Sequence, residues 1–188
     1  MSSVSSAARR SQILLLRGIN LGSRKRVSMP DLRAVLSSAG FENVRTYVQS
    51  GNVVLSGNRA DSAALAARCE KLIGERFGFD VDVIVRTDCE LAEVVARNPL
   101  GDVAVDPKRY QVSFLEAEPD PEVVARMTEK AVDDERLVTI GREIYAWHPA
   151  GVARSKLWAA LAGNGLGVRA TARNWTTVTT LLEMARAS

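Results

Sequence analysis

The stretch Gly18-Ile19-Asn20-Leu21-Gly22-Ser23-Arg24-Lys25-Arg26-Val27 puts two glycines, an amide and three consecutive cations just ahead of a helix start. Backbone N–H groups and the helix dipole at a strand-to-helix junction favour an anion, so Lys25 and Arg26, with Arg17 and Asn20 beside them, are candidate phosphate or carboxylate contacts. Gly18-x-x-x-Gly22 followed by Lys25 lacks the Gly-x-x-x-x-Gly-Lys-Ser/Thr spacing, and no Gly-x-Gly-x-x-Gly occurs, so the loop is not a nucleotide-hydrolysing P-loop. Gln49, Ser50 and Asn52 form a second polar group. Hairpin geometry alone asks for short polar residues around Gly51, yet the same set would orient a polar ligand.

A third group comes late in the chain. Lys156, just inside a helix start, is unfavourable beside the positive end of the dipole unless an anion is near. Arg173 has no evident structural task, Asn174 serves as a helix cap, and Trp175 reads as buried beneath that helix. His148, the single histidine, ends a strand beside Pro149, so neither a metal triad nor a relay with a second histidine can be assembled. Cys69 and Cys89 have no CxxC partner, and Cys69 falls on an apolar helical stripe as core filler. Asp133-Asp134-Glu135 reads as a solvated acidic turn without EF-hand spacing. No metal and no cofactor is implied.

Charge is unevenly spread. Residues 1–59 hold 9 Lys/Arg against 2 Asp/Glu, residues 60–147 hold 11 against 19, and residues 148–188 hold 5 against 1. Two basic ends flank an acidic middle, so one electropositive face forms if the ends meet in the folded chain. Of 188 residues 46% are hydrophobic and 25% charged, ordinary values for a globular protein. The strongest apolar run, Ile13 to Leu16, is interrupted by Arg17, far short of a membrane span. With two isolated thiols, this predicts a soluble protein of a reducing cytoplasm, with no membrane partner.

These groups need a scaffold. Residues 1–11 read as a Ser- and Arg-rich disordered tail. Gln12 to Arg17 reads as a buried strand. Ser28, Pro30 and Asp31 open a helix with Leu32, Val35, Leu36 and Ala39 on one face, and Gly40 ends it. Alternation from Val44 to Gln49, a turn at Ser50-Gly51 and then Asn52 to Leu55 predict a hairpin. Asp61 opens a second helix, and Val81, Val83 and Val85 alternate in a fourth strand. The order β-α-β-β-α-β over residues 12–86 is a first ferredoxin-like subdomain. A Thr87/Glu90 capping box starts a connecting helix, and residues 87–108 form the link. Residues 109–188 repeat the order: strands at Tyr110 to Glu116, Arg136 to Ile140 and Glu143 to His148, helices from Asp120-Pro121 and Ser155, a short last strand at Leu166 to Thr171, and a closing helix from Asn174. The predicted class is α+β, with two tandem ferredoxin-like subdomains built on antiparallel sheets plus a C-terminal helix.

Four motifs carry a family likeness: Arg17-Gly18-Ile19-Asn20-Leu21-Gly22 through Met29, Tyr47-Val48-Gln49-Ser50-Gly51-Asn52-Val53, Ser155-Lys156-Leu157, and Thr171-Ala172-Arg173-Asn174-Trp175-Thr176-Thr177-Val178. In this order they resemble the bacterial family of domain of unknown function 1697, over roughly residues 12 to 187. Leu21 departs from the smaller Val commoner in relatives. The resemblance implies a cytosolic bacterial protein with two ferredoxin-like units and no assigned reaction.

The function expected from these residues is binding of an anionic ligand, a phosphorylated metabolite, nucleotide or nucleic acid, at a basic surface between the subdomains. Arg17, Asn20, Lys25, Arg26, Gln49, Ser50, Asn52, Lys156, Arg173 and Asn174 are the candidate contacts. Tyr47 alone offers a ring for stacking, and the aromatic RNP1 pattern is absent from Asn52 to Leu55. Two alternatives differ in kind. One is an enzyme on a phosphate- or acyl-bearing substrate, by analogy with ferredoxin-like acylphosphatases, with Arg17 or Arg24 and Asn20 or Asn52 in the working roles. The other is a scaffold whose sheet surfaces meet a protein partner. No pattern in the sequence assigns a catalytic residue.

Overall fold

The aliphatic run Ile13 to Leu16 is a strand buried on both faces, which is why its sequence shows no polar alternation. In the computed structural model, which describes residues 10–22, 25–57 and 61–187, it lies within β1 (Arg10–Leu16). There follow α1 (Met29–Ser38), β2 (Glu42–Tyr47), β3 (Asn52–Gly57), α2 (Ser62–Phe77), β4 (Val83–Thr87) and α3 (Asp88–Arg97). The second half holds β5 (Tyr110–Leu115), α4 (Pro121–Thr128), β6 (Arg136–Ile140), β7 (Glu143–Trp147), α5 (Lys156–Ala162), β8 (Ala170–Asn174) and α6 (Trp175–Arg186). The predicted order, β-α-β-β-α-β twice, is therefore present. The tail expected over residues 1–11 lies, up to residue 9, outside the described residues, and Arg10 and Ser11 already belong to β1.

Each half builds one four-stranded antiparallel sheet, ordered β2-β3-β1-β4 in the first and β6-β7-β5-β8 in the second. The class is α+β with two such sheets and six helices among the described residues. None of these helices is long and apolar enough to cross a membrane.

The chain divides into two compact units. Unit 1 comprises residues 1–90 and 181–188, and unit 2 residues 91–180. In unit 1, Leu14, Leu16, Val53, Leu55, Val83 and Val85 point to one side of the sheet and pack on Leu32 and Leu36 of α1 and Leu65, Cys69 and Ile73 of α2. Each such side chain contributes roughly 1.5–3 kcal/mol by leaving water. On the other side of β1 the Ser11 hydroxyl donates to the Ala185 carbonyl at 2.8 Å, and Arg45 donates to the Met184 carbonyl at 2.6 Å. The last turns of α6 thus belong to unit 1, although that helix starts in unit 2. In unit 2, Leu115, Ile144, Ala146 and Ala170 pack on Met127 of α4 and on Leu157 and Leu161 of α5.

Local signals act as their chemistry requires. Ser28 caps α1 by accepting from the Asp31 N–H at 3.4 Å, and Gly40 leaves the helix at φ +89°. Thr87 and Glu90 exchange the reciprocal bonds of a capping box, 2.7 Å from the Thr87 N–H to Glu90 and 3.2 Å from the Glu90 N–H to Thr87. The last strand differs from expectation. It spans Ala170–Asn174 rather than Leu166 to Thr171, because Gly167, at φ +72°, turns the chain first and pairing with β5 starts at Ala170 opposite Leu115.

Candidate functional site

At one end of the unit 1 sheet, the loop after β1 and the turn between β2 and β3 are fastened together by one side chain. Asn20 sits at φ +54°, a region its short amide tolerates. Its Nδ2 donates to the Val27 carbonyl at 3.0 Å and to the Gln49 carbonyl at 2.8 Å, its Oδ1 accepts from the Val27 N–H at 2.9 Å, and its own N–H donates to the Lys25 carbonyl at 3.0 Å. Packing reinforces the fastening. A methyl group on Gly51, at φ +70°, would come within 2.6 Å of the Leu16 Cβ and 2.8 Å of the Ile19 Cδ1, so only glycine lets the turn lie this close.

Around this junction Lys25, Arg26, Gln49 and Ser50 are exposed. Lys25 Nζ donates to the Asp80 carbonyl at 2.9 Å, which leaves its charge unneutralised by that bond. Arg17 is partly buried and pairs with Asp82 at 3.3 Å. Both partners of that pair are more than a quarter exposed, so its worth is about 0–1 kcal/mol. Arg24 and Ser23 lie outside the described residues. Two aliphatic side chains also stand out of this end of unit 1, Leu21 at 77% exposure and Val48 at 51%. Val48 has φ +49°. A β-branched residue in the left-handed region is an outlier costing of the order of 1–3 kcal/mol.

Both asparagines have structural tasks, Asn52 within the hairpin where geometry alone asks for a short polar residue, and Asn20 in a fastening that the sequence did not announce. Asn52 is fully buried and its Nδ2 donates to the Tyr47 carbonyl at 3.2 Å across the hairpin. Asn20 spends its amide on Val27 and Gln49.

The other three candidates lie in unit 2. Lys156 is exposed at the first residue of α5, a helix of 7 residues. Arg173 is buried on β8, where it donates to Thr171 Oγ1 at 2.8 Å and to the Ala172 carbonyl at 2.7 Å, and burial pushes its guanidinium down to about 10. Asn174 Oδ1 accepts from the Thr177 N–H at 2.9 Å, the capping role expected of it. Trp175 stacks on Tyr110 with centroids 4.8 Å apart and is half-buried.

One polar cluster in unit 2 corrects an expectation. Glu135 is not part of a solvated turn: it is buried, and its Oε1 lies 2.8 Å from Nδ1 of the fully buried His148. Ser155 Oγ is 3.1 Å from the same nitrogen and also caps α5 by accepting from the Trp158 N–H at 2.8 Å. Burial pushes the Glu135 carboxyl up, but hydrogen bonds from Ser155, His148 and the Val132 N–H outweigh it and hold it below the usual carboxylate range. A serine relay needs acid and hydroxyl on opposite ring nitrogens, whereas here both meet Nδ1, so the cluster is a brace and not a nucleophile. The signal for it was available in the turn. Gly141-Arg142 pairs Ile140 with Glu143 and Arg136 with Trp147, and the next step outward sets Glu135 opposite His148.

Comparison with known proteins agrees with this architecture. The conserved bacterial protein SP0830 from Streptococcus pneumoniae has a similar structure, with a TM-score of 0.76 and 22% sequence identity over 95% of this chain and 99% of that one. No curated protein matches the chain. The family model described as "Protein of unknown function (DUF1697)" matches residues 10–145, which include β1 to β6 and the start of β7, the Asn20 loop and the hairpin turn that it fastens. The chain belongs to the DUF1697 family.

Proposed function

We propose that the chain binds a phosphate-bearing anionic ligand, and that the ligand rests on unit 1, on the loop between β1 and α1 and the turn between β2 and β3. The observation that carries this is the Asn20 fastening, since a single amide holds the Lys25-Arg26 segment against the Gln49-Ser50 turn. The loop carries two exposed cations and the turn fastened to it an exposed amide and hydroxyl, the donor set that phosphate oxygens and their neighbouring polar groups accept from. A rigid sheet carrying such loops at one end suits a binding role. We read each unit as ferredoxin-like from its strand order, and place the protein in a reducing bacterial cytoplasm, which suits its two free thiols.

The test is fluorescence anisotropy with a labelled short single-stranded oligonucleotide, followed from low to physiological salt. Binding is expected to weaken steeply with salt, and the double variant Lys25→Glu with Arg26→Glu to lose most affinity while its melting temperature stays unchanged. The salt slope should fall by about 0.7 for each phosphate contact removed. Binding that ignores salt, or that survives the double charge reversal, overturns the proposal.

A further inference from the structure

Val48 and Leu21 need an explanation that the anion does not supply. Each is one residue away from the Asn20–Gln49 hydrogen bond, each is more than half exposed, and neither closes any part of the core. Val48 also holds a backbone conformation, φ +49°, in which Gly or Asn is at ease and a β-branched side chain is not. A turn selected for folding alone would carry one of those residues. Here an aliphatic side chain is displayed at a conformational cost, next to two exposed cations. Inorganic phosphate has no use for an aliphatic surface.

We infer that the ligand is a nucleotide, free or within a single strand, with phosphates on Lys25 and Arg26 and the face of a base against Val48 and Leu21. This rests on the anion-binding reading and names its ligand class. A base face is flat and weakly hydrated and lies a few ångströms from its own phosphate, so charge and apolar contact must lie on neighbouring segments of the site, and here the bonds of Asn20 to Lys25 and Gln49 join those segments. Gln49, exposed beside Val48, supplies both an amide donor and an acceptor for a base edge. Base–protein contact of this sort tolerates sequence, because every base has such a face.

The experiment compares wild type with Val48→Asn and, separately, Leu21→Ser, against three probes: tripolyphosphate, ATP and a short single-stranded oligonucleotide. Val48→Asn relieves the backbone, so its melting temperature should rise by about 2–4 °C, while ATP or the oligonucleotide should bind about fivefold more weakly. Leu21→Ser should weaken the same probes without altering stability. Tripolyphosphate should bind all three proteins alike. Weakening of both nucleotide probes marks a mononucleotide site, and weakening of the oligonucleotide alone marks a strand. Equal nucleotide affinity in Val48→Asn and wild type overturns the inference, as does wild type that binds tripolyphosphate and neither nucleotide; in both cases the anion-binding proposal stands. A Val48→Asn protein that is less stable and binds equally well assigns Val48 to packing and also overturns it. Failure of all three probes to bind wild type overturns the proposal and the inference together.

Discussion

Asn20 shows how much one short side chain decides. It closes its own loop through Val27 and Lys25 and reaches the neighbouring turn through Gln49, so the relative positions of two loops depend on a single amide. Replacing it with alanine leaves the Val27 N–H and two carbonyls without that partner and keeps a left-handed backbone that alanine resists. The expected cost is about 2–4 kcal/mol, from lost hydrogen bonds and backbone strain together. Asn20→Asp, which still accepts from Val27 but donates nothing, should fall between alanine and wild type. Urea denaturation of the three proteins checks the order. Aspartate as destabilising as alanine would mean that the two bonds donated by the amide, to Val27 and Gln49, and not the one it accepts from Val27, hold the junction.

The hairpin of β6 and β7 makes the same point for an element. Its two-residue turn sets the register, and the register brings Glu135 to His148, where Ser155 ties both to the start of α5. Glu135 is held below its ordinary value in the folded state, so its stabilisation is complete above the unfolded value of about 4.3 and is lost as pH falls through the lower folded value. Unfolding midpoints measured from pH 7 down to pH 3 should therefore drop more steeply in wild type than in Glu135→Gln, which should itself cost about 1–3 kcal/mol at neutral pH. Glu116 is also lowered, chiefly by its hydrogen bond from Arg169, but that pair is half-exposed, and added salt should abolish its share and spare that of Glu135. A salt-sensitive acid transition would assign the effect to Glu116 instead. Elements of this size were legible in the sequence because caps and periodicity are local: Ser28, the Thr87/Glu90 box and the aliphatic run of β1 each announced themselves within a few residues. The brace was half legible, since it follows from counting outward from Gly141-Arg142, but the acidic run around Glu135 looks solvated until that count is made. The bonds of Asn52 and Asn20 were illegible for the opposite reason. Their partners, Tyr47 and Gln49, are carbonyls, which every residue has, so no sequence pattern marks the bond.

Over the whole molecule the units do not follow the chain. Unit 2 is one continuous run, residues 91–180, while unit 1 needs residues 181–188 to complete what residues 1–90 begin. A chain ending at Thr180 loses the buried Leu181, Leu182 and Ala185 and the carbonyls that receive Ser11 and Arg45. Two leucines and two hydrogen bonds amount to about 4–9 kcal/mol, comparable with the entire stability of a small domain. Hydrogen exchange on the shortened chain should show β1 and β3 exchanging freely while β5 and β7 stay protected. Equal protection in the two sheets would mean that the last turns of α6 add little. The consequence reaches into biosynthesis. At about 5–20 residues/s, the 90 residues of unit 2 take about 5–18 s to emerge. Throughout that interval the earlier-made half has its helices and hairpin but not its final strut, so the later-made half can reach its native state first.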